Sequence, residues 1–245
     1  MNLSLSYHSS ASGCIAVLQM CSEENLNALS ADGVSQIAAL CRQLSDDCRV
    51  LVISGIERAF SVGVDVHEFD GRDSVQMDGF LNADWQIVSK LSIPVIAAVD
   101  GYALGAGFEM CLMCDMIFAS SEARFGLPEI KLGLMPGNGG TQRLLRAAGV
   151  YRAKHLCFSG EMMSADYMCE IGIVHEISPK PLEATIAYAH RLCERSPAAL
   201  RRIKNIINMS EKDLSFEYER ENFYALFSTA EAQQSISKFL QKIGK

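Results

Sequence analysis

The chain opens on a period of two. Leu3, Leu5 and Tyr7 alternate with Ser4 and Ser6, and an apolar run from Cys14 to Met20 follows Gly13, so two strands are expected here. The period then lengthens. Ser30 is placed to cap a helix reaching about Leu44, with Val34, Ile37, Ala38, Leu40 and Cys41 on one face. Val50 to Ile53 is unbroken apolar sequence closed by Gly55, the pattern of a strand buried on both faces. A polar stretch from Asp65 to Asp73 leads into a predicted helix over roughly Val75 to Leu91. Pro94 to Val99 and Asp115 to Ala119 read as two more buried strands, separated by a glycine-rich turn and a helical pattern.

Strands and helices therefore alternate as far as Gly140, which predicts an α/β fold with crossover connections. Beyond it the pattern is largely helical. Ser164 opens a short helix, Ile173 to Ile177 is a brief strand, and helices run from Pro181 to the end. The sequence has neither an internal repeat nor a low-complexity tract, so a single functional unit with a C-terminal helical segment is expected.

Composition narrows the class. The 245 residues are 49% hydrophobic and 21% charged, enough to bury a sizeable core. A net charge of −7 argues against nucleic acid or an anionic membrane surface as partner. The nine cysteines are odd in number and scattered, and so are read as reduced thiols. Met1 to Ser12 lack the basic start and apolar run of a signal peptide, and no stretch approaches the roughly 18 apolar residues of a membrane span. A cytoplasmic protein is expected.

Three segments carry candidate chemistry. In Phe60-Ser61-Val62-Gly63-Val64-Asp65, Gly63 lets the backbone turn so that a neighbouring N–H can face a ligand. Asp100-Gly101-Tyr102-Ala103-Leu104-Gly105-Ala106-Gly107-Phe108-Glu109 places small residues before a helical pattern, where exposed N–H groups and the helix dipole favour negative charge. The spacing is not that of a dinucleotide motif, because Met110 stands where the third glycine would be. Glu109 in the first turn either complements the dipole or does acid–base work. The third segment, Ala123 to Ile130 and on through Gly133 to Thr141, is stiffened by Pro128 and Pro136 and sets Glu129 in apolar surroundings. Cys111 and Cys114 form a lone C-x-x-C without a second ligand pair, and the five histidines form no ligand pair, so no metal site is expected.

Together these segments resemble the crotonase (enoyl-CoA hydratase/isomerase) family. The likeness covers nearly the whole chain and is densest from Ile96 to Arg143, where the two glutamates stand twenty residues apart. It implies a crotonase-like spiral of ββα units over 1–190 and a C-terminal helical trimerisation region over 191–245, in a homotrimer or dimer of trimers. It implies a thioester carbonyl held by the backbone N–H groups of Val64 and Ala106. Two such donors stabilise enolate-like charge, and losing one typically costs about 3–4 kcal/mol in the barrier. Ala106 stands where family hydratases often have glycine, which the role tolerates if its φ is negative.

The resemblance further implies that Glu109 orients and deprotonates water for attack at C3 while Glu129 delivers a proton to C2. Coenzyme A contacts are implied at the Val62 carbonyl and at Phe223 and Lys242, the last two where a neighbouring subunit can contribute. Coenzyme A is then part of the substrate, with no separate cofactor. The implied activity is reversible hydration of 2-trans-enoyl-CoA to 3-hydroxyacyl-CoA. The same scaffold leaves open a 3-enoyl-CoA to 2-enoyl-CoA isomerase or a specialised acyl-CoA dehydratase, and more remotely a non-catalytic acyl-CoA- or RNA-binding relative.

Overall fold

The computed structural model describes residues 1–10, 12–81, 83–209, 223–225 and 227–243. Its strands are, in chain order, β1 (Leu3–Ser10), β2 (Gly13–Met20), β3 (Cys48–Ser54), β4 (Ala59–Ser61), β5 (Val95–Val99), β6 (Tyr102–Leu104), β7 (Met116–Ala119), β8 (Arg124–Gly126), β9 (Met163–Ser164) and β10 (Glu176–Ile177). Its helices of α type are α1 (Ala31–Arg42), α2 (Ser74–Phe80), α3 (Ile87–Lys90), α4 (Ala106–Met113), α5 (Gly140–Ala148), α6 (Val150–Ser159), α7 (Ala165–Glu170), α8 (Pro181–Cys193), α9 (Pro197–Met209) and α10 (Ala230–Ile243).

Two sheets result. The larger has the order β1-β2-β3-β5-β7-β10, with β1 and β2 antiparallel and the remaining pairs parallel. Its central strands are covered on both faces. Leu51 and Ile53 of β3 join the main core with Val34, Ile37 and Cys41 of α1, whereas Val50 and Val52 face a second core with Ala189 and Cys193 of α8. This two-sided burial is why β3 reads as continuous apolar sequence rather than as an alternation. The predicted α1 forms as expected, with the Ser30 side chain accepting from Gly33 N and Arg42 ending the helix.

The smaller sheet, β4-β6-β8-β9, was not legible beforehand. Its first three strands have three residues each, too few to show a period. β4, β6 and β8 are parallel, so their C-terminal ends open along one edge.

The helix expected over Val75 to Leu91 is instead broken into α2, a 3-10 turn at Ala83–Gln86, and α3. The indole of Trp85 donates to the Phe80 carbonyl at 2.8 Å, taking an acceptor that a continuing helix would need. The strand expected over Ile173 to Ile177 shrinks to β10, paired with the end of β7.

Two buried polar groups brace the frame. Asn27 is fully buried with φ +57; its side-chain amide donates to the carbonyls of Met20, Ala59 and Phe60, and its oxygen accepts from Ser22 N. Lys204 of α9 donates to Asp115 Oδ2 and to the Ile93 carbonyl, each at 2.8 Å, which ties the C-terminal helical region to the entry of β5.

Candidate active site

The three parallel strands β4, β6 and β8 of the small sheet each deliver one of the three segments at the C-terminal end, the edge where parallel sheets commonly bind ligands. After β4 the chain turns at Gly63, whose φ of +96 is left-handed backbone that favours glycine. The Gly63 carbonyl accepts from Leu29 N at 2.8 Å, and Asp65 N donates to the Leu29 carbonyl at 3.0 Å. Val64 lies between these bonds, so its N–H points away from Leu29 and meets no carbonyl among the described residues. Asp65 caps the following 3-10 turn through His67 N.

After β6, Gly105 N donates to the Gly126 carbonyl, and Gly105 adopts φ +51 and ψ −128 before α4 starts at Ala106. The Ala106 N–H is likewise without a carbonyl acceptor among the described residues. Leu26 and Asn27 are the non-glycine residues of positive φ in the described chain, so Ala106 meets the condition set by its departure from glycine. A β-carbon on Gly63 would stand 3.3 Å from Ala106 N, so the two donors belong to touching segments.

Glu109 is 1% exposed. Its Oε1 accepts from the backbone N–H of Asn138 at 2.8 Å and of Gly140 at 2.9 Å. The carboxylate thus sits at the start of α5, where the helix dipole favours negative charge. Glu129 lies in the 3-10 turn Pro128–Leu132 that follows β8, and Leu134 N closes that turn on the Glu129 carbonyl. Glu129 Oε2 is shielded from solvent.

A cavity of about 860 Å³ collects these groups: Val64, Ala106, Glu109 and Glu129 line it together with Val62, Phe223 and Lys242. All seven residues singled out in the sequence therefore meet at one site of a single chain. Phe223 is buried and packs on Phe69 and Phe227, and Lys242 is exposed on α10. Cys111 and Cys114 lie away from this cavity, and burial holds both thiols well above the usual thiol range.

Several contributors were not found from the sequence. The run Gly137 to Gly140 was visible as a loop, but its role of offering two N–H groups to Glu109 depends on a contact across 29 residues. Asn27 carries no local signal of its bonds to β2 and β4. Phe69, Leu81 and Lys238 also line the cavity without any distinguishing sequence pattern.

Comparison with known proteins agrees with this architecture. The sequence model of the family described as enoyl-CoA hydratase/isomerase matches residues 10–244. The chain belongs to that family. Within the enoyl-CoA hydratase/isomerase family, it is 37% identical over 222 residues to the 2,3-dehydroadipyl-CoA hydratase of Escherichia coli, covering 88% of this chain and 86% of the relative. It is 34% identical over 241 residues to the short-chain-enoyl-CoA hydratase of Clostridium acetobutylicum, covering 94% and 92%. Among solved structures, an enoyl-CoA hydratase subunit of Geobacillus kaustophilus is 38% identical with a TM-score of 0.78, covering 97% of this chain and 95% of that one. An enoyl-CoA hydratase/isomerase of Mycobacterium paratuberculosis, 23% identical, shares the fold at a TM-score of 0.85 over 96% and 97%. The fold is the crotonase fold of this family. No helix among the described residues is long and apolar enough to cross a membrane.

Proposed function

We propose that this protein catalyses the reversible addition of water to 2-trans-enoyl-CoA, giving 3-hydroxyacyl-CoA. The observation that carries the reading is the convergence of two carboxylates and two outward N–H groups on one cavity. The thioester oxygen accepts from Val64 N–H and Ala106 N–H, which stabilise the enolate-like charge that develops when water adds at C3. Glu109, fixed by Asn138 and Gly140, orients the attacking water and takes its proton. Glu129 supplies the proton to C2. Neither carboxylate forms a covalent bond, and coenzyme A leaves with the product as it entered with the substrate.

The cavity is polarised in a way that supports this orientation. Its lysines, Lys131, Lys238 and Lys242, are all exposed, while Phe69, Leu81 and Phe223 are buried. The phosphates of coenzyme A then meet Lys242 and Lys238, its adenine meets the Val62 carbonyl, and the acyl group points inward. We further propose that 191–245 supports a homotrimer or dimer of trimers. Exposed Ile203 and Ile207 of α9 support self-association through that region, and sedimentation reads the assembly directly.

The test is hydration of crotonyl-CoA by the purified protein, followed by loss of the conjugated enoyl-thioester absorbance. Glu109→Gln and Glu129→Gln are each expected to lower kcat by about 10²–10⁴-fold while still binding acyl-CoA. Turnover of a 3-enoyl-CoA without hydration of crotonyl-CoA would replace this reading with isomerisation.

A further inference from the structure

In the hydratase reading the acyl carbon that receives water faces Glu109, and Glu109 is held by the N–H of Asn138. Gly137, the residue before Asn138, lines the same cavity, and on that reading it is the wall that carbons beyond C3 meet. Little space is left there. A β-carbon on Gly137 would stand 3.1 Å from the ring of Phe223 and 3.3 Å from the side chain of Leu81, so both already cover the glycine.

These covers are themselves backed. Phe223 has ring neighbours in Phe69 at 6.3 Å and Phe227 at 6.0 Å, and Phe69 has Phe80 of α2 at 6.3 Å. Tyr224 donates to Asp78 Oδ1 at 2.7 Å, pinning the segment that carries Phe223 to α2. A long acyl chain would have to displace several packed rings rather than one free side chain.

Leu81, Phe69 and Phe223 carry no charge, and Arg72, stacked over the Phe80 ring that backs Phe69, is paired with Glu68. The lining lysines are exposed, and Arg143 lies outside the lining, with its guanidinium on the Asn138 carbonyl and on Gln86 Oε1. A carboxylate carried among Leu81, Phe69 and Phe223 would lose its hydration to apolar neighbours.

We infer that Gly137, Leu81, Phe69 and Phe223 form a closed apolar cup that selects short, uncharged acyl groups and rejects both long chains and chains ending in a carboxylate. This rests on the hydratase reading for the direction in which the acyl group lies, but its test does not require turnover. Saturated acyl-CoA esters are titrated calorimetrically against the full chain: butyryl-, hexanoyl-, decanoyl- and adipyl-CoA. Butyryl-CoA is expected to bind at least tenfold tighter than decanoyl-CoA, and hexanoyl-CoA at least thirtyfold tighter than the equally long adipyl-CoA.

Leu81→Ala is expected to shrink the butyryl-to-decanoyl ratio at least fivefold while leaving adipyl-CoA weak. Decanoyl-CoA binding as tightly as butyryl-CoA, or adipyl-CoA as tightly as hexanoyl-CoA, would overturn the inference. Failure to hydrate crotonyl-CoA alongside the expected binding order would instead overturn the hydratase reading and leave the cup standing.

Discussion

Glu129 lies over Gly105, close enough that a β-carbon on the glycine would stand 3.3 Å from the glutamate Oε1. Gly105 also holds φ +51 and ψ −128, a region that side chains resist. Gly105→Ala therefore strains the turn before α4 and crowds the Glu129 carboxyl at once. Stability is expected to fall by about 1–3 kcal/mol in urea unfolding. Hydration of crotonyl-CoA is expected to fall more than tenfold at a temperature where the variant remains folded. Unchanged turnover would show that neither Gly105 nor the seat of Glu129 matters to the reaction.

Gly140→Ala separates activity from folding. Alanine is the better helix former, and Gly140 opens α5 without a left-handed φ. The added carbon, however, would stand 2.9 Å from Glu109 Oε1 and 3.0 Å from the Pro136 side chain. Thermal midpoint is expected to change by only a few degrees, about what 1 kcal/mol produces in a domain of this size. The kcat for hydration is expected to drop at least tenfold with KM within a few-fold, because displacing the carboxylate proposed to activate water affects the chemical step.

Asn27→Ala tests the brace behind the first donor. The substitution removes one donor from each of three buried carbonyls, of which Ala59 keeps Ile56 N–H, and the acceptor from Ser22 N–H, and puts alanine at φ +57. Buried polar groups left unsatisfied cost about 1–3 kcal/mol each before relaxation, so a net loss of about 3 kcal/mol is expected in urea unfolding. A loss below 1 kcal/mol would mean that the loop re-forms its bonds elsewhere.

Alkaline stability carries a signature of buried thiols. Burial pushes the Cys41 thiol up to about 12 against a usual value of 9.0, with Arg42 pulling partly back. The folded state favours the neutral thiol, so its contribution is complete below about pH 9 and is lost as pH rises from there towards 12. In Cys41→Ala that dependence disappears. The stability gap between wild type and variant is expected to narrow by about 1–2 kcal/mol between pH 7.5 and pH 10.5. A gap independent of pH would show that the thiol ionises alike in both states.

The main sheet was readable because its strands announce themselves as apolar runs bounded by glycine and proline, as in Val50 to Ile53 before Gly55. The candidate site was readable in part for a related reason: Gly63, Gly105 and Glu109 lie within a few residues of strand ends. The remainder depends on contacts distant in sequence. Asn138 reaches Glu109 across 29 residues, and Asn27 reaches Phe60 across 33. Neither partner changes the local pattern. The break at Phe80 was hidden likewise, since an indole taking a main-chain carbonyl leaves the apolar spacing of α2 and α3 intact. α4 is apolar on nearly every side, so its periodicity could not tell which face would hold the catalytic edge.

Val64 and Ala106 hang from β4 and β6, whose register pairs Ala59 with Tyr102 and Ser61 with Ala103. The separation of the two N–H groups is consequently a property of the main chain and owes nothing to the side chains that enclose the cavity. Leu81 and Phe223 come from unrelated parts of the chain, outside that ladder. Heritable change can therefore act on diet and on chemistry separately. Exchange of Leu81 or Phe223 can reshape the cavity in single steps, while the spacing of the amide pair passes through unaltered.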